Sequence, residues 1–218
     1  MPMNKEFFEF DILEESGLSD AASVKLPDPT LLDYYTRRKD RCILWNNDIE
    51  DGFVEIYQDI LRWNKEDIES GKDKSEMTPI RVYINSDGGS VSAVFAIIDL
   101  LLMSVTPVIT IGLGKCFSSG GLLLMAGSKR LLLPSCTVLI HDGYSGSGGA
   151  GVTAKMLDNL EYTKELEERI KKYILSRTSI EESEYDKNYR RDWWIFAEDA
   201  VNKYHIADKI ITDITEII

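Results

Sequence analysis

The sequence predicts an α/β domain, because short apolar segments typical of buried strands alternate with helical segments along most of the chain. Residues 80–84 alternate apolar and polar side chains as a strand does, and residues 91–103 continue as an apolar helix that Ser90 can cap. Residues 107–113 are almost continuously apolar, which is typical of a strand covered on both faces. With 218 residues and no internal repeat, the chain fits one large α/β domain without a second one.

The N-terminal part divides into an arm and the start of this domain. Residues 1–30 are acidic, mixed in pattern and closed by two prolines, so we expect a flexible arm there and a domain over residues 31–218. Residues 42–45 predict a strand, and residues 53–63 carry apolar side chains at helical spacing. Residues 64–78 are charged and without periodicity, which predicts a surface loop.

The C-terminal half continues the alternation of strands and helices. Residues 114–117 predict a turn that leads through the small residues 118–121 into an apolar helix over 122–126. The remaining predicted elements are strands at 130–133 and 137–141, a glycine-serine loop at 143–151, a long amphipathic helix from 152, helices at 181–189 and 197–204, and a strand at 209–212.

Charge and composition exclude several classes of protein. The formal net charge of −12 disfavours a nucleic-acid or anionic-membrane partner, because the chain has no dominant cationic surface to neutralise phosphates. The apolar runs are too short to span a bilayer, and the N-terminus lacks a secretory pattern. Three cysteines without paired spacing indicate reduced core residues in a cytoplasmic protein. With no metal-ligand cluster and no lysine-containing phosphate loop, we expect neither a cofactor nor ATP hydrolysis by this chain.

A set of residues suited to serine chemistry stands at the predicted strand ends. Ser118 lies at a strand-to-helix turn, where the helix N-terminus favours developing negative charge. His141 ends an apolar strand, and Gly88-Gly89 at another turn can present a bare backbone amide. Nucleophilic hydrolysis needs a hydroxyl, an imidazole base and amide donors for the oxyanion. The second histidine, His205, has helix-terminal neighbours and is typical of a surface position.

Several motifs resemble those of the Clp protease proteolytic subunit. Residues 83–91 read YINSDGGSV, which is similar to the family's signature of tyrosine, isoleucine, asparagine, serine, proline and two glycines. Ser118 lies in a Gly-x-x-x-Ser-x-Gly setting that resembles the family's nucleophile segment. Residues 133–141 are similar to its histidine strand, and residues 191–194 and 197–201 resemble its closing helices. The resemblance covers about residues 34–212.

The resemblance implies a catalytic role for each matching position. Ser118 would be the nucleophile and His141 the general base, and the amides of Gly89 and Ser119 would form the oxyanion hole. The backbone of two further residues would bind an extended peptide as an added strand. These residues are Ser90 and Val91.

The resemblance also implies a fold, an activity and partners. The expected fold is ClpP/crotonase-like, with repeated β-β-α units and a protruding handle helix from residue 152, beside a handle strand region at 143–151. The implied activity is a serine endopeptidase that hydrolyses unfolded polypeptides through an acyl-enzyme inside an oligomeric chamber. The implied assembly is a homo-oligomer of stacked heptameric rings, served by a separate ATP-driven unfoldase.

The sequence departs from the family pattern at three positions. Asn188 aligns with the aspartate that would orient the histidine, and an amide lacks the charge that stabilises an imidazolium. Asp186 or Asp192 could serve instead after a shift of the chain. Asp87 replaces a proline, and Ser119 replaces a larger apolar residue.

These departures leave a second hypothesis open. The chain could be a catalytically impaired structural ring subunit that partners an active paralogue. A third reading, an acyl-CoA-processing enzyme with a related fold, is disfavoured because such enzymes need no pair like Ser118 and His141.

Overall fold

The computed structural model describes residues 8–9, 25–26, 28–50, 52, 54–143 and 153–218, and the chain forms two compact units, residues 1–42 and 43–218. In the first unit, strand β1 (Phe8–Glu9) pairs antiparallel with β2 (Lys25–Leu26), and helix α1 spans Pro29–Lys39. The flexible arm at residues 1–30 stays a prediction, because most of it lies outside the described residues.

A seven-stranded sheet forms the framework of the second unit. Its main path runs through β3 (Cys42–Trp45), β4 (Ile80–Ser86), β5 (Val108–Phe117), β6 (Lys129–Leu132) and β9 (Lys209–Ile210). Off this path, β7 (Thr137–Ile140) pairs with β5 and with β8 (Trp193–Phe196). The pairs β4–β5, β5–β6, β5–β7 and β6–β9 are parallel, whereas β7–β8 is antiparallel. The predicted α/β class is confirmed.

Six helices of the described residues connect these strands. They are α2 (Val54–Ser70), α3 (Val91–Leu102), α4 (Ser119–Met125), α5 (Thr153–Arg177), α6 (Glu182–Asn188) and α7 (Ala197–Asn202). Ser90 caps α3 as predicted, since its hydroxyl accepts from the Ala93 amide at 3.2 Å. Leu123 of α4 and Ile98 of α3 are fully buried in the same apolar core as Ile84 of β4.

Helix α2 is longer than the sequence predicted. It continues to Ser70 through the first half of the expected loop at 64–78, because Ile60, Trp63 and Asp67 form one buried stripe. The Asp67 carboxylate accepts from the Thr106 hydroxyl at 2.7 Å, and this hydrogen bond offsets the cost of burying the carboxylate. From the sequence alone, a charged residue at this position suggests the surface.

Two further differences concern strands near the site. Residues 114–117 were expected to form a turn, but β5 continues to Phe117 because residues 115–117 pair with β7. The segment at 191–194 was compared with closing helices, yet residues 193–196 form β8. Trp193 of this strand is half-buried and Trp194 is exposed.

The handle region is described only in part. Helix α5 matches the predicted long helix, whereas residues 144–152 of the glycine-serine loop and its junction lie outside the described residues. Over the part of the chain that the structure describes, no helix has the length and apolar character that crossing a membrane requires.

Candidate active site

Ser118 occupies a strained turn between β5 and α4. Its backbone adopts φ 51° and ψ −120°, a conformation that costs about 1–3 kcal/mol for a residue with a side chain. The Ser118 amide donates to the Leu139 carbonyl at 2.8 Å, and its own carbonyl accepts from the Gly121 amide at 2.9 Å. A strained strand-to-helix turn of this kind presents a nucleophilic hydroxyl at its tip.

A glycine turn after β4 lies against Ser118. Gly88 and Gly89 have φ values of 106° and 140°, which residues with side chains rarely adopt. A Cβ on Gly88 would lie 2.8 Å from Ser118 Cβ, and a Cβ on Gly89 would lie 2.2 Å from the Ile49 carbonyl oxygen. Glycine is therefore required at both positions for the turn to approach the nucleophile.

Hydrogen bonds fix this turn on both sides. On one side, the Ile49 amide donates to the Gly88 carbonyl at 2.7 Å, and the Ser90 amide donates to the Ile49 carbonyl at 2.6 Å. On the other side, the buried Ser119 hydroxyl donates to the Gly89 carbonyl at 2.9 Å. Ser119 is also the first residue of α4, where an amide has no partner within the helix.

The role of the Ser119 hydroxyl was missed by sequence reasoning, which assigned a function to its amide alone. A larger apolar side chain at this position could not make the hydrogen bond to Gly89. The replacement of an apolar residue by serine was the available signal.

The negative charge of Asp87, beside the glycine turn, has a partner. Its carboxylate forms an exposed ion pair with the Lys115 ammonium on β5. This pair offsets a charge that would otherwise oppose an oxyanion nearby.

His141 lies at the same edge of the sheet as Ser118. Strands β5 and β7 are parallel with Phe117 opposite Leu139, so the residues that follow both strands meet at one edge. Ser118 and His141 line one narrow pocket of about 40 Å³. Its walls are otherwise mainly apolar, formed by Val91, Leu122, Met125, Leu139, Ile140, Ile170 and Ile174. Among the described residues no hydrogen bond joins the two catalytic candidates, which is common before substrate binds.

The residues around the other side of His141 differ from the expectation. No hydrogen bond joins Asn188 to His141 among the described residues, and the Asn188 side-chain amide donates to the Glu184 carbonyl at 2.8 Å. Asp186 pairs with Lys171 at 2.7 Å. Asp192 is the carboxylate that approaches the imidazole, with Oδ1 at 3.9 Å from Nδ1.

Comparisons with known proteins identify the family of this chain. The model of the Clp protease family matches residues 33–214. The chain belongs to the Clp protease family. The ATP-dependent Clp protease proteolytic subunit 2 of Prochlorococcus marinus is 31% identical over 189 residues, which cover 85% of this chain and 90% of that protein.

Two further relatives carry similar names. The ATP-dependent Clp protease proteolytic subunit of Streptococcus mutans is 31% identical over 183 residues, covering 82% of this chain and 89% of that protein. The subunit 2 of Treponema denticola is 36% identical over 141 residues, covering 62% of this chain and 68% of that protein. The predicted Clp-type fold and serine peptidase class are thereby confirmed, and nothing in these relatives specifically favours an impaired ring subunit.

The expected peptide-binding backbone of this Clp protease is only partly available. The Ser90 amide is bonded to Ile49 and its carbonyl accepts from the Val94 amide at 3.1 Å, so this amide is not free for an added peptide strand. Val91 begins α3, where the amide has no intrahelical partner, and it lines the pocket beside Ser118.

Two cysteines of the protease lie in the core close to the nucleophile, Cys116 within β5 and Cys136 just before β7. Cys116 and Cys136 are buried and reduced, with their sulfurs 3.8 Å apart. The hydrogen bond with Cys136, together with burial, raises the pKa of the Cys116 thiol well above its usual value. Both therefore behave as core residues, as the sequence predicted, whereas the prediction is wrong for Cys42, which is only partly buried.

Proposed function

We propose that this Clp protease family member hydrolyses peptide bonds of unfolded polypeptides through an acyl-enzyme on Ser118. The observation that carries the proposal is the position of Ser118 on a strained turn, in one pocket with His141. His141 takes the proton of the Ser118 hydroxyl as the oxygen attacks the peptide carbonyl carbon. The amides of Gly89 and Ser119 hold the resulting oxyanion.

The second half of the reaction reuses the same groups. The carbon–nitrogen bond breaks as His141 gives its proton to the leaving amine, which leaves an ester on Ser118. His141 then removes a proton from water as the water oxygen attacks the ester carbon. The ester bond to Ser118 breaks, His141 returns the proton to Ser118 Oγ, and the new carboxylic acid leaves.

The substrate would lie as an extended chain along the start of α3. The Val91 backbone would bond it as an added strand, with the neighbouring Ser90 holding the turn in place. The apolar walls of the pocket favour an apolar side chain on the residue whose carbonyl is attacked.

The names of the relatives also suggest partners for this chain. Their names describe ATP-dependent proteases, and we propose a separate ATP-driven unfoldase that delivers polypeptides to a homo-oligomer of stacked heptameric rings in the cytoplasm, with no cofactor of its own. Met156, Leu157 and Leu160 of the handle helix α5 expose more than half of their side chains, which supports a contact between subunits there.

A paired test uses the purified oligomer, a fluorogenic peptide with an apolar residue before the leaving group, and a fluorophosphonate probe. We expect Ser118→Ala to lose probe labelling and to lower kcat by more than about 10³-fold. The control Ser176→Ala removes an exposed hydroxyl that bonds only the Tyr173 carbonyl among the described residues, and it should behave as wild type.

Two results would contradict the proposal. Labelling that persists in Ser118→Ala would remove Ser118 from the mechanism. Assembled wild-type rings that neither react with the probe nor hydrolyse peptide between pH 6 and 9 would favour the structural ring subunit instead.

A further inference from the structure

The antiparallel pairing of β7 and β8 sets a carboxylate beside the proposed general base. Ile140 lies opposite Trp193 in this ladder, so the next residues outward, His141 and Asp192, are the following pair. The Asp192 carboxylate oxygen lies 3.9 Å from His141 Nδ1. We propose that Asp192, rather than Asn188, is the positioning residue that orients His141. This inference rests on the proposed peptidase function.

The order of the strands supports a row of three groups. Strand β7 lies between β5 and β8, and the three strands bring Ser118, His141 and Asp192 to one edge of the sheet in that order. A carboxylate on Nδ1 fixes the tautomer in which Nε2 is the base, and it stabilises the imidazolium that forms during attack.

Asn188 is the residue that aligns with the family's aspartate, but its position in α6 keeps it from that role. Asn188 ends the helix, and its side-chain amide is bonded within that helix to Glu184. The Asn188 carbonyl accepts from the Arg191 amide at 3.0 Å, which closes a turn between the helix and β8. Asn188 therefore lies before this turn, at the end of α6, whereas Asp192 lies after it, immediately before β8.

The Asp192 side chain can close the remaining gap. A hydrogen bond to the imidazole needs a nitrogen–oxygen distance of about 2.8 Å, so the carboxylate must move by about 1 Å. Asp192 is 63% exposed, and among the described residues its carboxylate makes no other ion pair. Asp186, the other acidic candidate, is held by Lys171.

The chain offers matched controls for this assignment. Asp192→Asn removes the charge and keeps the shape, whereas Asp192→Glu keeps the charge on a longer side chain. Asn188→Ala tests the aligned position. Asp142→Asn removes an exposed carboxylate directly after His141, whose field acts on Tyr185 and Arg190.

Steady-state hydrolysis of the fluorogenic peptide by each assembled variant distinguishes these roles. We expect Asp192→Asn to lower kcat by about 10²- to 10⁴-fold with KM within about twofold, because the charge acts on the imidazolium. The kcat of Asp192→Glu should be at least about tenfold higher than that of Asp192→Asn, because the charge is kept. Asn188→Ala and Asp142→Asn should stay within about threefold of wild type.

The outcomes separate this inference from the proposed function. If Asp192→Asn stays within about threefold while Ser118→Ala is inactive, the role of Asp192 is overturned and the peptidase function stands. A loss of assembly in Asp192→Asn, seen by size-exclusion chromatography, would make the residue structural and would also overturn the inference. If wild type and Ser118→Ala are equally inert to substrate and probe, the proposed function itself falls.

Discussion

The two sides of the proposed site are built differently. The nucleophile side is fixed by backbone. Ser118 is bonded to β7, Gly88 lies against Ser118, and Gly89 lies against Ile49, so that neither glycine can carry a Cβ without displacing backbone. The base side depends on side chains: Asp192 is largely exposed and its oxygen is 3.9 Å from the His141 nitrogen.

This difference indicates which part of the site is formed before substrate binds. The amides that would hold the oxyanion are part of a rigid turn, which suits electrostatic stabilisation because no reorganisation is needed during reaction. The hydrogen bonds through His141 must tighten when substrate or assembly closes the site. Substitutions on the nucleophile side should therefore act through geometry, and those on the base side through charge.

Among substitutions outside the proposed Ser118, His141 and Asp192 set, the largest effect is expected from a methyl group added to the glycine turn. In Gly89→Ala the new Cβ meets the Ile49 carbonyl oxygen at 2.2 Å, so the turn must shift away from Ile49 and the Gly89 amide leaves its place in the proposed oxyanion hole. We expect kcat/KM of peptide hydrolysis to fall by about 10²- to 10³-fold, as when an oxyanion donor is lost.

Gly71→Ala is the matched control for this backbone change. Gly71 also has a positive φ, of 62°, but a Cβ there meets nothing within 4 Å. It should retain wild-type kcat/KM. Equal losses in both variants would show that the glycine turn does not position the site.

A smaller effect should follow from breaking the ion pair beside the turn. Lys115→Met leaves the Asp87 carboxylate uncompensated near the proposed oxyanion. We expect kcat/KM to fall by about three- to tenfold at low salt, with a smaller loss at high salt because the charge is exposed and screened.

The double substitution Asp87→Asn with Lys115→Met completes this test. It should recover most of the loss, as measured by a double-mutant cycle on kcat/KM. A double variant as impaired as Lys115→Met would show that the lysine acts through packing rather than by neutralising Asp87.

The next effect concerns the stability of the base side. The Trp194 ring of β8 meets the Phe117 ring of β5 edge-on, with centroids 5.1 Å apart and an interplanar angle of 87°. Trp194→Ala should lower the free energy of unfolding by about 1 kcal/mol, measured by urea denaturation. Phe196→Ala, at an exposed position of the same strand without a recorded ring partner among the described residues, should cost less. Equal costs would contradict a specific ring contact.

The smallest effect is a pH dependence of stability near α6. Hydrogen bonds from the Tyr204 hydroxyl and the Lys203 ammonium lower the pKa of Glu184 below its usual 4.5. A lowered pKa in the folded state gives stability that is present at neutral pH and lost as the pH falls below about 4.5.

Glu184→Gln should therefore reduce the free energy of unfolding at pH 7 by about 0.5 kcal/mol or less, since solvent reaches both partners of the ion pair and screens it. The difference should become smaller as the pH falls from 7 through the acidic range below 4.5, as measured by urea denaturation at a series of pH values. The control Glu165→Gln, an exposed residue of α5, should show no difference at any of these pH values. A difference that stays constant or grows as the pH falls below 4.5 would exclude the carboxylate as its cause.

The sequence was informative where backbone determines the site. Gly89 and Ser118 stand in short motifs whose residue types are required by the turns they form, so their places at strand ends could be predicted. The role of Asp192 could not, because it depends on the register of β7 against β8 and on a turn that ends at Arg191. Neither the strand register nor the turn can be recognised from residue types. Trp193 and Trp194 also did not predict a strand, because charged residues precede them.

The α2 extension had a similar cause. Asp67 is buried and satisfied by Thr106, a residue distant in sequence, so the segment appeared to be a polar loop.

The central claim is that Ser118, His141 and Asp192 act together at one sheet edge, and a crystal structure of the assembled protein with its fluorophosphonate adduct tests it most directly. We predict a phosphonate on Ser118 Oγ, an adduct oxygen about 3 Å from the Gly89 and Ser119 amides, and an Asp192–His141 distance shortened to about 2.8 Å. An adduct on another residue, or a His141 ring bonded to Asn188 while Asp192 remains in solvent, would contradict the account.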